Sequence, residues 1–130
     1  MSEGIDPATL TKAALRAADR LGLSDMLPDL LGIEAGLAGE LTSGARTLDP
    51  GQPEWVAASK FLSIFRSLVT LAGGTEGARA WLVSPNQALG AVPADLLRHP
   101  DGRDRVLRYL EAVQKYEIKL PGGPPGGNGR

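Results

Sequence analysis

Residue types that perform covalent chemistry are scarce in this chain. There is no cysteine and only one histidine, His99, so a thiolate nucleophile, a Cys-ligated zinc and any two-histidine metal motif are excluded. His99 stands before Pro100 with no serine or aspartate spaced to form a relay, which predicts a surface histidine. The glycines at 73, 74 and 77 follow no strand and lack the lysine of a phosphate-binding loop. Carboxylates are scattered singly along helical faces, as solvated charges are. The expectation is a protein with no catalytic residue, no metal and no cofactor. Binding chemistry is better represented. Arg98, Arg103, Arg105, Arg108, Lys115 and Lys119 gather near the C-terminal end, with Tyr116, Ile118 and Leu120 beside the last of them. Arginine and aromatic side chains commonly dominate protein interfaces.

The charge is unevenly spread. Residues 1–54 hold four basic side chains (Lys12, Arg16, Arg20, Arg46) against nine acidic ones, whereas residues 55–130 hold ten basic against six acidic. The formal net charge of -1 conceals an acidic first half and a basic second half. Such asymmetry bears on partners rather than on fold. The N-terminus has neither the basic start nor the apolar run of a secretory signal. No uncharged stretch, Ser67 to Thr75 among them, reaches the ~20 apolar residues of a membrane span. A soluble, cytoplasmic protein with no membrane partner is expected.

The elements that position these residues read as helices, so the fold class is all-α. Asp6-Pro7 is a cap followed by proline at the first helical position, and Leu10, Ala14, Leu15, Ala18 and Leu21 follow at helical spacing. A second helix is predicted from Ser24 to about Leu31, ended by Gly32, and a third over about Glu34 to Thr42. Pro53 opens the longest helix, which stops at Gly73-Gly74. Its apolar arc (Trp55, Phe61, Leu62, Ile64, Phe65, Leu68, Val69 and Leu71) is wide enough to be buried on more than one side. That helix is either the central strut of the fold or a strut that also meets a partner subunit. Short helical turns are predicted from Thr75, from Ser84-Pro85 to Gly90, and from Pro93 to Leu97. A final helix runs from about Asp101 to Lys115 and buries Val106, Leu107, Leu110 and Val113. Tyr116 to Leu120 alternates apolar and polar residues as an extended segment does. The closing PGGPPGGNGR predicts a disordered tail.

Two resemblances add to this reading. The segment LGLSDMLPDLLGIEAGLAGEL resembles the helix-turn-helix of Xre-type repressors, with Gly32 in the turn, Ile33 after it, and Leu37 and Leu41 on the inward face. It departs from that pattern at Pro28 and where polar residues usually stand, at Glu34, Ala35, Gly36 and Gly39. A recognition helix needs Arg, Lys, Asn or Gln to reach base edges, and none occurs before Arg46. A weak contact from Arg46 is the most that DNA is expected to receive.

The stretch AWLVSPNQALGAVPADLLRHPDGRDRVLRYLEAV resembles the toxin-binding domain of the MbcA/ParS/Xre antitoxin family. The matching elements are Trp81-Leu82, Ser84-Pro85-Asn86, Leu89-Gly90, Pro93 with Asp95-Leu96-Leu97, and the helix of Val106 and Leu110. The resemblance implies a degenerate helix-turn-helix lobe over residues 1–50, a long connecting or dimerisation helix over 51–74, and a toxin-binding domain over 75–120. Residues 121–130 form the tail. It also implies that Trp81, Leu82, Pro85, Asn86, Leu96 and Leu107 are domain core. The implied partner is a RES-domain toxin that breaks down NAD or transfers its ADP-ribose, with its NAD cleft covered by the antitoxin C-terminal segment. A homodimer within a hetero-oligomeric complex is implied as well. Arg105, Arg108, Lys115, Tyr116, Ile118, Lys119 and Leu120 are then the expected toxin contacts. The alternative functions are a DNA-binding autoregulator of its own operon, active alone or only with toxin, and a homo-oligomeric scaffold.

Overall fold

The computed structural model describes residues 5–116. Among them it is all-helical, and the nearest thing to a strand is one antiparallel bridge between Asn86 and Ala91. The order is α1 (Pro7–Arg20), a 3-10 turn (Ser24–Met26), α2 (Leu27–Leu31), α3 (Ala35–Ser43), α4 (Pro53–Ala72), α5 (Thr75–Leu82), α6 (Pro93–Leu96) and α7 (Pro100–Lys115). The chain groups into two compact units that divide between Leu62 and Ser63, inside α4.

In the first unit, Asp6 caps α1 by accepting from the Thr9 N–H at 3.1 Å, and Pro7 opens the first turn. Leu10, Ala14, Ala17 and Ala18 give α1 one buried stripe. The helix predicted over 24–31 divides in two. An unbroken α-helix would need an N–H at position 28 to reach the Ser24 carbonyl, and proline has none. Leu27 donates to Ser24 instead, producing the tighter turn before α2. Gly32, at φ 68°, then lets Ile33 donate back to the Pro28 carbonyl at 2.9 Å. The outcome is a short helix, a glycine turn and a second helix, in the helix-turn-helix order.

The loop after α3 is pinned by a single side chain. Thr11, buried in α1, donates its hydroxyl to the Pro7 carbonyl at 2.7 Å and accepts the Leu48 N–H at 2.8 Å. Leu48 is itself buried. An orphaned N–H in that position would bear the full cost of desolvation.

By length and composition α4 could cross a membrane, with a mean hydropathy of 1.3 over its apolar window. Its residues Ala58, Phe61, Ile64, Leu68 and Ala72 are instead buried within the protein. Trp55, Leu62, Phe65, Val69 and Leu71 are half-buried. The wide apolar arc is thus fully covered on one face, with a partly covered flank.

Replacing Thr11 by valine keeps the shape and removes the acceptor of Leu48. The expected loss is about 1–3 kcal/mol of unfolding free energy, measured by denaturant titration, with Thr11→Ser close to wild type.

Candidate functional site

The second unit begins inside α4, which runs on to Ala72. Gly73 and Gly74, at φ 79° and 141°, turn the chain, and the Gly74 N–H returns to the Val69 carbonyl at 2.9 Å. α5 ends on the buried pair Trp81 and Leu82. The Trp81 ring stacks on Tyr109 of α7, with centroids 6.1 Å apart and planes 9° from parallel, an offset arrangement favoured by aromatic quadrupoles.

Ser84-Pro85 does not start a helix, contrary to the cap-and-proline reading. Asn86 intervenes. Its buried side chain accepts the Leu89 N–H at 2.9 Å, while its own N–H donates to Ala91 at 3.0 Å. The Gly90 N–H closes on the Asn86 carbonyl at 2.8 Å, with Gly90 at φ 71°. An asparagine side chain that captures nearby backbone competes directly with helix formation. Asn86 and Leu89 are thereby drawn inside, leaving Val83, Ser84, Pro85, Gln87 and Ala88 exposed.

α6 then packs against α7 through an absence of side chain. A Cβ on Gly102 would collide with the backbone carbonyl of Leu96. Immediately after it, Arg103 is buried and donates from Nη1 to the Leu97 carbonyl at 3.1 Å, satisfying a group left over where α6 ends. Arg105 donates to the Leu89 carbonyl, tying α7 to the Asn86 loop. Val106, Leu110 and Val113 carry the buried stripe of α7. The Ser67 hydroxyl, on α4, donates to Gln114 Oε1 at 3.1 Å.

These positions revise the expected core. Trp81, Leu82 and Asn86 are buried, Leu96 and Leu107 are half-buried, and Pro85 is exposed. Pro85 lies outside because Asn86, and not a helix, sets the path of the chain there. Leu107 is displaced by its neighbours: with Arg103, Val106, Leu110 and Val113 on the inner face, position 107 falls on the flank.

Among the expected toxin contacts, Arg108 is exposed on α7, and Lys115 and Tyr116 are exposed at its end. The Lys115 ammonium lies 5.5 Å from the centre of the Tyr116 ring. Arg105 is on the same helix, with its guanidinium engaged by Leu89. Ile118, Lys119 and Leu120, and the tail over 121–130, lie outside the described residues. Sequence reasoning missed the structural roles of Gly102 and Arg103. A glycine in the first turn of a predicted helix, where alanine is intrinsically better, was the available signal for close backbone approach.

The α2–Gly32–α3 turn of the first unit has an acidic surround. Arg46 pairs with Glu40 at 3.2 Å, and an open groove of about 560 Å³ beside α3 is rimmed by Glu34, Glu40 and Glu54 as well as Arg46. Carboxylates dominate that rim and repel phosphate. Among the described residues, no three of His, Cys, Asp and Glu gather as a metal site, and His99 is exposed just before α7.

The second unit thus presents surface cations, an exposed aromatic at the end of α7 and a hydrogen-bonded loop. Residues 67–115 match the family model of the antitoxin Xre/MbcA/ParS C-terminal toxin-binding domain. That part of the chain is similar to this toxin-binding domain, and the match supports an antitoxin with a toxin-binding domain. No curated protein matches the chain.

Two glycines in helical backbone should respond oppositely to alanine. At Gly102 the clash is with backbone, which cannot swing aside, so overpacking of about 1–3 kcal/mol outweighs the helix-propensity gain of roughly 1 kcal/mol. At Gly39 in α3 an added Cβ meets nothing within 4 Å, so the gain of up to about 1 kcal/mol stands alone. Thermal melts of the two variants should move in opposite directions.

Proposed function

We propose that the chain neutralises a RES-domain toxin by covering the toxin's NAD cleft with the segment that follows α7. The toxin would consume NAD or transfer its ADP-ribose. The observation that carries this reading is the toxin-binding domain over 67–115, whose last helix ends on the exposed pair Lys115 and Tyr116. Ile118, Lys119 and Leu120 come next in the chain. Tyr116, Ile118 and Leu120 supply apolar anchors, while Lys115 and Lys119 supply charge that sits where NAD phosphates would, or pairs with toxin carboxylates. Anchors of this kind are needed because ordering a segment on binding consumes part of the interaction energy. Arg105 and Arg108 extend the contact along α7. The antitoxin acts by occupancy and performs no reaction.

Within the complex we propose a homodimer, in the cytoplasm. The half-buried Trp55, Leu62, Phe65 and Val69 of α4 support it, because they recur seven, three and four residues apart, the spacing of a helix seam. Repression of its own operon by this chain alone is disfavoured by the carboxylate rim around Arg46.

Co-expression with a RES-domain toxin tests the main reading. The full chain should restore growth and cellular NAD. A chain ending at Val113 should keep its helical circular dichroism and fail to restore either; rescue by that shortened form would remove the C-terminal segment from the mechanism. In a gel shift at fixed salt, the full chain alone should leave its own promoter DNA unshifted. A shift abolished by Arg46→Ala would establish the DNA reading instead.

A further inference from the structure

We infer that the loop from Val83 to Ala88 is a preformed anchor for the toxin, distinct from the segment after α7; this rests on the toxin-neutralising reading above. Val83 is 69% exposed, and of the large apolar side chains left exposed among the described residues it is the one within 67–115. It directly follows Trp81 and Leu82, which are fully covered. The fold of the second unit therefore gains nothing evident from valine there, where a polar residue would be better solvated.

The backbone beneath this apolar spot is held by side-chain bonds as well as by its own turn. The Ser84 hydroxyl donates to the Ala80 carbonyl at 2.8 Å, and Asn86 fixes Leu89, Gly90 and Ala91 through the bonds described above. Arg105 reaches across from α7 to hold the Leu89 carbonyl. Pro85 restricts the backbone at the exposed bend. A surface loop fixed in the free protein has already lost the conformational entropy that binding would otherwise consume. Val83, Pro85 and Ala88 present apolar surface with Ser84 and Gln87 beside them, the apolar centre and polar edge typical of a protein contact. The occupant is the toxin because the loop lies in the middle of the toxin-binding domain. The matching chemistry on the toxin is a shallow apolar recess, away from its NAD cleft.

This arrangement divides the labour. The loop contributes affinity, while the segment after α7 contributes inhibition.

The test uses the full chain and a catalytically silenced RES-domain toxin, with binding measured by calorimetry. Val83→Asp should weaken binding at least tenfold while leaving the melting temperature unchanged, and Val56→Asp, at an exposed valine of the first unit, should leave binding unchanged. A photo-crosslinking amino acid at position 83 should form an adduct with the toxin. Wild-type affinity of a folded Val83→Asp chain would overturn the inference. If that variant loses stability, the crosslink decides: a complex that forms with no adduct from position 83 overturns it too. Failure of the wild-type chain to bind any RES-domain toxin would refute the RES reading and the loop with it. A complex that silences the toxin with Val83→Asp still binding normally would refute the loop alone.

Discussion

The second unit depends on a place where there is no room for a side chain. Gly102 lets the first turn of α7 come against the Leu96 carbonyl, and that approach sets the reach of the two arginines that follow. Arg103 turns inward to the Leu97 carbonyl, and Arg105, two residues on and so on a different face, reaches the carbonyl of Leu89. A wider gap between α6 and α7 would carry the Arg103 guanidinium away from the Leu97 carbonyl. It would then be a desolvated charge with a lost partner, a far larger penalty than a missing surface contact. One glycine therefore bears on whether Arg103 and the end of α6 can satisfy each other.

The Asn86 loop is the other half of the same construction. Its backbone is closed by its own side chain on one side and by Arg105 on the other. Helix α7 thus holds two shapes at once, the α6 corner through Gly102 and Arg103 and the loop through Arg105. The Trp81–Tyr109 stack adds a contact between α5 and the same helix. This is how a domain with so few residues can present a defined surface to a partner: nearly every element is referred to a single helix.

Much of this was legible in the sequence because it follows from local rules. The caps and prolines at Asp6-Pro7, Pro53 and Pro93 mark helix starts by removing or satisfying N–H groups, and Gly32 and Gly73 mark stops by adopting positive φ. Ser84-Pro85 carried the same local signal and no helix formed, because the Asn86 side chain offers the backbone a competing partner. Pro28 splits a helix for a related reason, the missing N–H. The candidate site was harder to read. Whether an arginine points to solvent or to a carbonyl depends on what another helix leaves unsatisfied, and no periodicity records that. Arg103 and Arg105 are two residues apart in the same basic cluster, yet they serve two different acceptors on two different elements.

That division changes what the basic second half of the chain means for recognition. A count of charges suggests a cationic face drawn to an acidic or phosphate-bearing partner. The structure buries Arg103 inside the domain, so the cationic surface presented outward is smaller than the sequence count, while Arg105 stays exposed with one N–H fixed on a carbonyl. Arg108, Lys115 and Tyr116 remain exposed, with the Lys115 ammonium against the aromatic ring. Long-range attraction falls off within about 8–10 Å in physiological salt, so exposed cations steer an encounter more than they hold it. Durable binding must then come from shape and buried apolar area. In this domain the parts with fixed shape are the ones that α7 organises through hydrogen bonds to carbonyl groups.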